Sequence, residues 1–192
     1  EAPPLRPWRA GSIQTSLSFL TDHGVPKSFL VTSTRPGEGK SSSAAALGET
    51  MTRTGKRVVV IDADMRNPSM HHLWELRNDA GLSNYLSGDD DYRAALRATS
   101  NPRLWVMTAG PTPPNPAELL SSERMRDLVG KLSSEFDQVV VDAPPVLGFV
   151  AYNHGDVHVL SQLPASPPRL PAPQGLPIVK NLASGSRPDV AA

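Results

Sequence analysis

The stretch "SFLVTSTRPGEGKSSSAAALGE" (residues 28–49) decides how this chain folds. It opens with a compact run of strand formers, "SFLVTS" (28–33), and turns through Pro and Gly. Alanines, Leu47 and Met51 then predict a helix from Ser41 to Thr54. Gly37, Gly39, Lys40 and Ser41 match the end of the pattern G-x-x-x-x-G-K-[ST], whose first Gly is replaced by Thr34. Glycines in such a loop let successive N–H groups point at phosphate oxygens, and the following helix adds the positive end of its dipole. Lys40 is expected to reach β and γ phosphates, and the Ser41 hydroxyl to bind Mg²⁺. The alternative is a strand-to-helix turn that binds nothing. The order strand, loop, Lys-Ser, helix favours the phosphate site.

Outward from this stretch, strands and helices alternate. "RVVVIDAD" (57–64), "LWVMTAG" (104–110) and "QVVVDAPP" (138–145) read as further strands with almost no polar alternation, as expected when both faces are covered. "ERMRDLVGKLSSEF" (123–136) is an amphipathic helix with Met125, Leu128, Val129, Leu132 and Phe136 on one side. Ile13, Leu17 and Leu20 suggest another short helix. This is an α/β domain with a parallel sheet, in which function collects at the carboxyl ends of the strands. Residues 1–11 read as a loose leader, and 12–148 as the folded domain. Residues 149–192 form a Pro-rich tail that reads as disordered, with "VHVLSQL" (157–163) able to form a short strand. The chain begins with Glu, which suggests a fragment or a processed product.

Net charge is +0, which gives no basis for nonspecific nucleic-acid binding, and cysteine is absent, which excludes disulfides and thiolate metal sites. No apolar run reaches the roughly 18 residues needed to span a bilayer.

Asp62, Asp64 and Arg66 follow the second strand, and Asp142 follows the last. A solvated strand end or a helix cap explains one Asp well. It explains less well two carboxylates two residues apart at the edge where a nucleotide would lie. One carboxylate there can orient a Mg²⁺ shell and another accept a hydroxyl proton. In "GPTPPNPAELLSSERM" (110–125), Asn115 is placed to cap a helix that starts at Pro116. The adjacent His71 and His72 read as surface residues, Asp89 to Asp91 as a solvated loop, and Trp74 and Trp105 as packing residues.

Together, "TSTRPGEGKSS" (32–42), "VVVIDADMRNP" (58–68), "GLSNYLSG" (81–88), "TAGPTPPNPAELLSSERM" (108–125) and "FDQVVVDAPPVLG" (136–148) resemble the bacterial tyrosine kinases of capsule and exopolysaccharide export. The resemblance runs from about Ile13 to Gly148. It implies a P-loop ATPase fold, a parallel sheet flanked by helices, related to the MinD and ParA group. It implies ATP and Mg²⁺ as cofactors and autophosphorylation of a tyrosine-rich tail on a neighbouring subunit. Thr34, Arg35, Pro36, Gly37, Glu38, Gly39, Lys40, Ser41, Ser42 and Arg66 would contact the nucleotide. Lys40, Asp62 and Asp64 would be catalytic, with Asp62 activating the tyrosine hydroxyl; Ser41, Asp62, Asp64 and Asp142 would serve the metal. The family's partner is a membrane-spanning chain-length regulator, fused or separate, which implies a cytoplasmic place at the inner face of the plasma membrane.

The chain departs from the family in three places. The Glu and two Arg used in homo-oligomeric ring contacts correspond here to Trp8, Gly11 and Gln14. After "DAPPVLG" the strands that complete the sheet and base pocket give way to the Pro-rich tail, so C-terminal strands are expected to be missing. No tyrosine cluster ends the chain; Tyr85, Tyr92 and Tyr152 are its tyrosines. Divergent ends around an intact middle are what frameshifts or a gene remnant would produce. The leading expectation is an ATP-dependent protein-tyrosine kinase domain. A non-catalytic nucleotide-binding remnant is the alternative, and a ParA/MinD-like ATPase is less favoured because Arg35 stands where those relatives carry Lys.

Overall fold

A computed structural model gives the architecture of the chain. It describes residues 26–33, 36–145, 150–154, 157–161 and 179–180. The expected leader, the helix near Ile13, the ring-contact positions and most of the tail lie outside the described residues.

Strand β1 (Ser28–Thr32) leads through the glycine loop into helix α1 (Lys40–Thr52) and strand β2 (Val58–Asp62). Two short helices follow, α2 (Met70–Leu73) and α3 (Leu82–Ser87), then a 3₁₀ turn (Tyr92–Ala95) and strand β3 (Leu96–Ala98). Strand β4 (Leu104–Met107), helices α4 (Pro116–Leu120) and α5 (Glu123–Glu135), and strand β5 (Gln138–Asp142) complete the core. In the tail, β6 (Val150–His154) and β7 (Val157–Ser161) form an antiparallel hairpin, so a strand does occur within 157–163. A two-residue strand, β8 (Val179–Lys180), pairs with β1.

The main sheet runs in the order β3-β4-β2-β5-β1-β8. All its pairings are parallel except β3 with β4, so the sheet is parallel-dominated with an antiparallel edge strand. That edge was not legible: "LRA" is three residues long and half exposed, too short to show a period.

Both sheet faces are covered. On one face Phe29, Val31, Val58, Val60, Leu104 and Val106 meet Ala44, Leu47 and Met51 of α1. On the other, Leu30, Val59, Ile61, Val139 and Val141 meet Met125, Leu128, Val129 and Leu132 of α5. The alternation within each strand thus distributes valines to two cores, which is why the strands read as unbroken apolar runs. Gly48 lets α1 lie close on the sheet: a Cβ there would stand 2.7 Å from Val60 Cγ2.

The strands end earlier than the apolar runs suggested. β2 stops at Asp62 because the Asp62 side chain takes over backbone N–H groups beyond it, and β5 stops at Asp142 before Ala143-Pro144-Pro145, where proline cannot donate to a ladder. Asn115 occupies the N-cap of α4 with Pro116 next, but its side chain makes no capping bond. Its amide donates instead to Glu118 at 2.7 Å. Ser122 does cap α5, accepting from the N–H of Met125.

The segments 81–88 and 108–110 lock together. The N–H groups of Leu82 and Ser83 donate to the carbonyls of Thr108 and Ala109, and Asn78 both donates to and accepts from Gly110. A Cβ on Gly81 would lie 2.1 Å from the Thr108 carbonyl oxygen. Trp105 packs edge-on to Phe136 and Trp74 against the α1 core, so both tryptophans are packing residues. Asp89, Asp90 and Asp91 are exposed.

Candidate nucleotide and metal site

The carboxyl ends of β1, β2 and β5 lie side by side, since β5 pairs with both of the others. Each end contributes one piece of the site. After β1 come Pro36 to Gly39 and the first turn of α1. After β2 come Asp64 to Ser69. After β5 come Pro144 and Pro145. These residues enclose a cleft of about 440 Å³ lined by Gly37, Gly39, Lys40, Ser41, Asp64 and Ser69 among others.

Gly37 and Gly39 have φ of 81° and 78°, the left-handed region in which glycine carries no steric cost. Gly39 is the N-cap of α1 with no side-chain cap, so the loop's own backbone forms the start of the helix. The Gly39 carbonyl accepts from the Ser43 N–H at 2.9 Å, fixing that first turn. Thr34 and Arg35 lie outside the described residues. Pro36, Gly37, Gly39, Lys40, Ser41, Ser42 and Arg66 line the cleft. Glu38 sits in the loop and is not among the lining residues.

Lys40 Nζ stands 2.8 Å from Asp64 Oδ2, 3.7 Å from Asp142 Oδ1 and 3.3 Å from Ser41 Oγ. Lys40, Ser41, Asp64 and Asp142 therefore converge. Asp142 is completely buried, and neither carboxylate oxygen has a hydrogen-bond partner of good geometry among the described residues. Burial pushes its carboxyl up from 3.8 to about 7, against the pull of Lys40 and of the nearby Ser41 hydroxyl. A buried carboxylate that shares a single Lys with a second Asp is an arrangement short of positive charge, and with the Ser41 hydroxyl beside it the site fits a Mg²⁺ ion. Among the described residues no group of three or more His, Asp or Glu forms a cage for a metal. Mg²⁺ does not need one, because it is held by one or two protein ligands, waters and phosphates. His71 and His72 stack on one another at 3.8 Å, half-buried and exposed respectively.

Asp62 is placed differently. It is fully buried, does not line the cleft, and its oxygens are filled by N–H groups. Oδ2 accepts from Ser69 and Met70 at 2.9 Å each, and Oδ1 from Asp64 at 3.2 Å. Burial raises its pKa, while the Met70 and Ser69 bonds and Lys40 lower it. Asp64 is oriented in turn by the Asn67 N–H at 3.1 Å. The two carboxylates thus divide: Asp62 braces the loop that follows β2, and Asp64 faces the cleft. Ser69 lies just past the stretch 58–68, and Asn67 within it carries no charge or motif position to mark it; the fold brings both to the site.

A glycine-cradled helix start with a Lys-Ser pair, facing carboxylates at the ends of two parallel strands, defines a P-loop nucleotide-binding fold. The model of the AAA domain family matches residues 27–155, and the chain belongs to that family. Its sequence relatives include bacterial tyrosine-protein kinases. Tyrosine-protein kinase YwqD of Bacillus subtilis is 41% identical over 136 residues, covering 71% of this chain and 57% of YwqD. The crystal structure of the chimerical protein CapA2B2 matches with a TM-score of 0.69 and 34% identity, over 76% of this chain and 65% of that one. The kinase domain of Escherichia coli tyrosine kinase ETK matches with a TM-score of 0.69 and 32% identity, over 73% and 55%. The chain spans little more than half the length of YwqD. Among the described residues no helix is long and apolar enough to cross a membrane.

Proposed function

We propose that this chain is the ATP-dependent kinase domain of a bacterial protein-tyrosine kinase serving capsule or exopolysaccharide synthesis. The observation that carries the proposal is the convergence of Lys40 on Asp64 and Asp142 at the start of α1. The family match and the kinase relatives supply the chemistry.

The backbone N–H groups of 37–42 and the Lys40 ammonium would hold the phosphate chain of ATP, and Ser41, Asp64 and Asp142 would hold Mg²⁺. ATP supplies the phosphoryl group, and Mg²⁺ neutralises charge on it. The protein's own part is positioning and electrostatics. Lys40 is shared between two carboxylates, so a phosphate that engages it competes with Asp64 for the same ammonium. Asp64, released from Lys40, is then the cleft-facing carboxylate available to the metal shell or to a hydroxyl. Asp62 accepts three backbone N–H bonds, two on Oδ2 and one on Oδ1, so a substrate hydroxyl would have to deliver its proton to the remaining site on Oδ1.

Tyr85 and Tyr92 are core residues, 3% and 7% exposed, and the Tyr92 hydroxyl is tied to Glu135. The acceptor tyrosine therefore belongs to another segment or another chain. Attachment to a membrane chain-length regulator at the inner face of the plasma membrane, and homo-oligomeric assembly, are part of this proposal. They rest on the family resemblance.

The test is MgATP titration calorimetry on the purified chain beside Lys40→Ala, followed by a phosphotyrosine assay. Saturable binding abolished by Lys40→Ala, with phosphate appearing on tyrosine, is the expected result. Binding without phosphotyrosine on any supplied substrate reduces the chain to a nucleotide-binding regulator. No binding by the folded wild type removes the proposal.

A further inference from the structure

We propose that Ser69 is a nucleotide-contacting residue, its hydroxyl bonding an oxygen of the terminal phosphate of a nucleoside triphosphate in the cleft. The inference rests on the nucleotide-binding reading above and adds to it a residue that lies outside the loop motif and the acidic motifs. Ser69 lines the cleft, yet its Oγ is buried and has no hydrogen-bond partner among the described residues. Buried hydroxyls are almost always satisfied, and a hydroxyl can both donate and accept. An orphaned one on a residue of the cleft wall has its bonding capacity free, and a rotation about χ1 is the one movement it needs to meet a ligand atom.

A chain of contacts ties Ser69 to Lys40. Lys40 Nζ touches Asp64 Oδ2 at 2.8 Å, the Asp64 N–H donates to Asp62 Oδ1 at 3.2 Å, and Asp62 Oδ2 accepts the Ser69 N–H at 2.9 Å. Ser69 thereby belongs to the same braced loop as Asp64, the carboxylate that meets Lys40, and the outermost phosphate would lie against that loop if Lys40 spans the β and γ groups. The two N–H bonds to Asp62, from Ser69 and Met70, pin the backbone on both sides of the Ser69 side chain. A pinned backbone limits the ordering cost to that side-chain rotation when ligand arrives. Ser69→Ala leaves both N–H groups in place, so it removes the hydroxyl alone.

Calorimetry of the full chain with a non-hydrolysable MgATP analogue and with MgADP tests this, using wild type, Ser69→Ala and Ser69→Thr. A lost hydrogen bond to a charged oxygen weakens binding about tenfold or more. The expected result is that loss for the triphosphate in Ser69→Ala, less than about twofold change for MgADP, and near-normal binding of both in Ser69→Thr. Equal loss for both nucleotides, or no loss for either, overturns the assignment while the nucleotide-binding proposal stands. Failure of the folded wild type to bind either nucleotide overturns both. An unchanged melting temperature in Ser69→Ala accompanies the expected result; a drop matched by equal loss for both nucleotides marks a structural role and counts against it.

Discussion

Lys40 Nζ and Asp64 Oδ2 are 2.8 Å apart in side chains that are each about nine-tenths buried. Neither comes from the strand that carries the other: Lys40 follows β1, Asp64 follows β2, and β5 separates the two. The pair therefore reports whether three strand ends are in register.

Removing Lys40 leaves Asp64 without its ion pair and Asp142 without its nearby cation. Breaking one side of a buried pair typically costs about 3–5 kcal/mol, and less here because the cleft admits water to Asp64. Lys40→Ala is expected to lose MgATP binding and to lower stability by about 1–3 kcal/mol in urea melts. The stability loss should be larger at pH 8 than at pH 5, where Asp142 keeps its proton. Unchanged binding in this variant would mean that phosphates do not sit on α1.

Stability of the ligand-free protein should fall as pH rises. Burial holds Asp142 up at about 7, against 3.8 when exposed. Between those values the folded state keeps a proton that the unfolded chain has released. The stabilisation is therefore complete below about pH 4 and is lost as pH climbs through 7. The slope from one such group is at most about 1.4 kcal/mol per pH unit. Asp62, raised mainly by burial, acts in the same direction. Thermal melts from about pH 5 to pH 8 should show a falling midpoint that flattens in Asp142→Asn; a midpoint that rises across the range would contradict the burial argument.

Asp62 and Asp64 should separate in mutagenesis. Asp62→Ala strips the acceptor from the N–H groups of Ser69, Met70 and Asp64, each costing about 1–3 kcal/mol if left unsatisfied. A drop of at least about 2 kcal/mol is expected, with weakened nucleotide binding as a consequence. Asp64→Asn keeps the fold within about 1 kcal/mol and weakens Mg²⁺-dependent binding specifically. The reverse order of stabilities would show that Asp62 is not the brace of this loop.

Two helical glycines should respond oppositely to alanine. Ala is usually favoured over Gly in a helix by about 1 kcal/mol. Gly130 in α5 has open space where a Cβ would be, so Gly130→Ala should stabilise by up to that amount. Gly48 faces the stiff, β-branched Val60 at 2.7 Å, so Gly48→Ala should destabilise despite its better propensity. Chemical denaturation of the two variants side by side decides this; parallel gains would mean α1 can lift from the sheet without cost.

Much of this was legible in the sequence because local patterns carried it. The valine runs at 58–60 and 139–141 announced buried strands, and Gly39-Lys40-Ser41 announced the turn into α1. Taking those strands as parallel put Asp62, Asp64 and Asp142 on the same sheet edge as the loop, while the meeting of Lys40 with Asp64 and Asp142 depends on β5 lying between β1 and β2. What was not legible depends on long-range contacts. The spacing of Asp62 and Asp64 gives them equal claims on the cleft, and only the N–H groups of Ser69 and Met70, folded back on Asp62, distinguish them. The β3 edge and the helices α2 and α3 are three to six residues long, too short for periodicity to accumulate. The junction of Gly81 with Thr108 is a steric fact between segments 27 positions apart, so a list of residues in order shows two glycine-rich turns and not one joint.

The sheet order has a consequence for how the chain acquires its shape on the ribosome. β1 and β2 have no hydrogen bonds to each other; both bond to β5, which is made last of the three. Until residue 138 has left the exit tunnel, the first strand has no partner within 26–137 in this sheet. The final insertion of β5 joins two halves and delivers Asp142 in the same event. Nascent chains ending before β5 should thus be protease-sensitive around 28–40, and competence to hold phosphate should appear in one step as the "QVVVD" segment emerges.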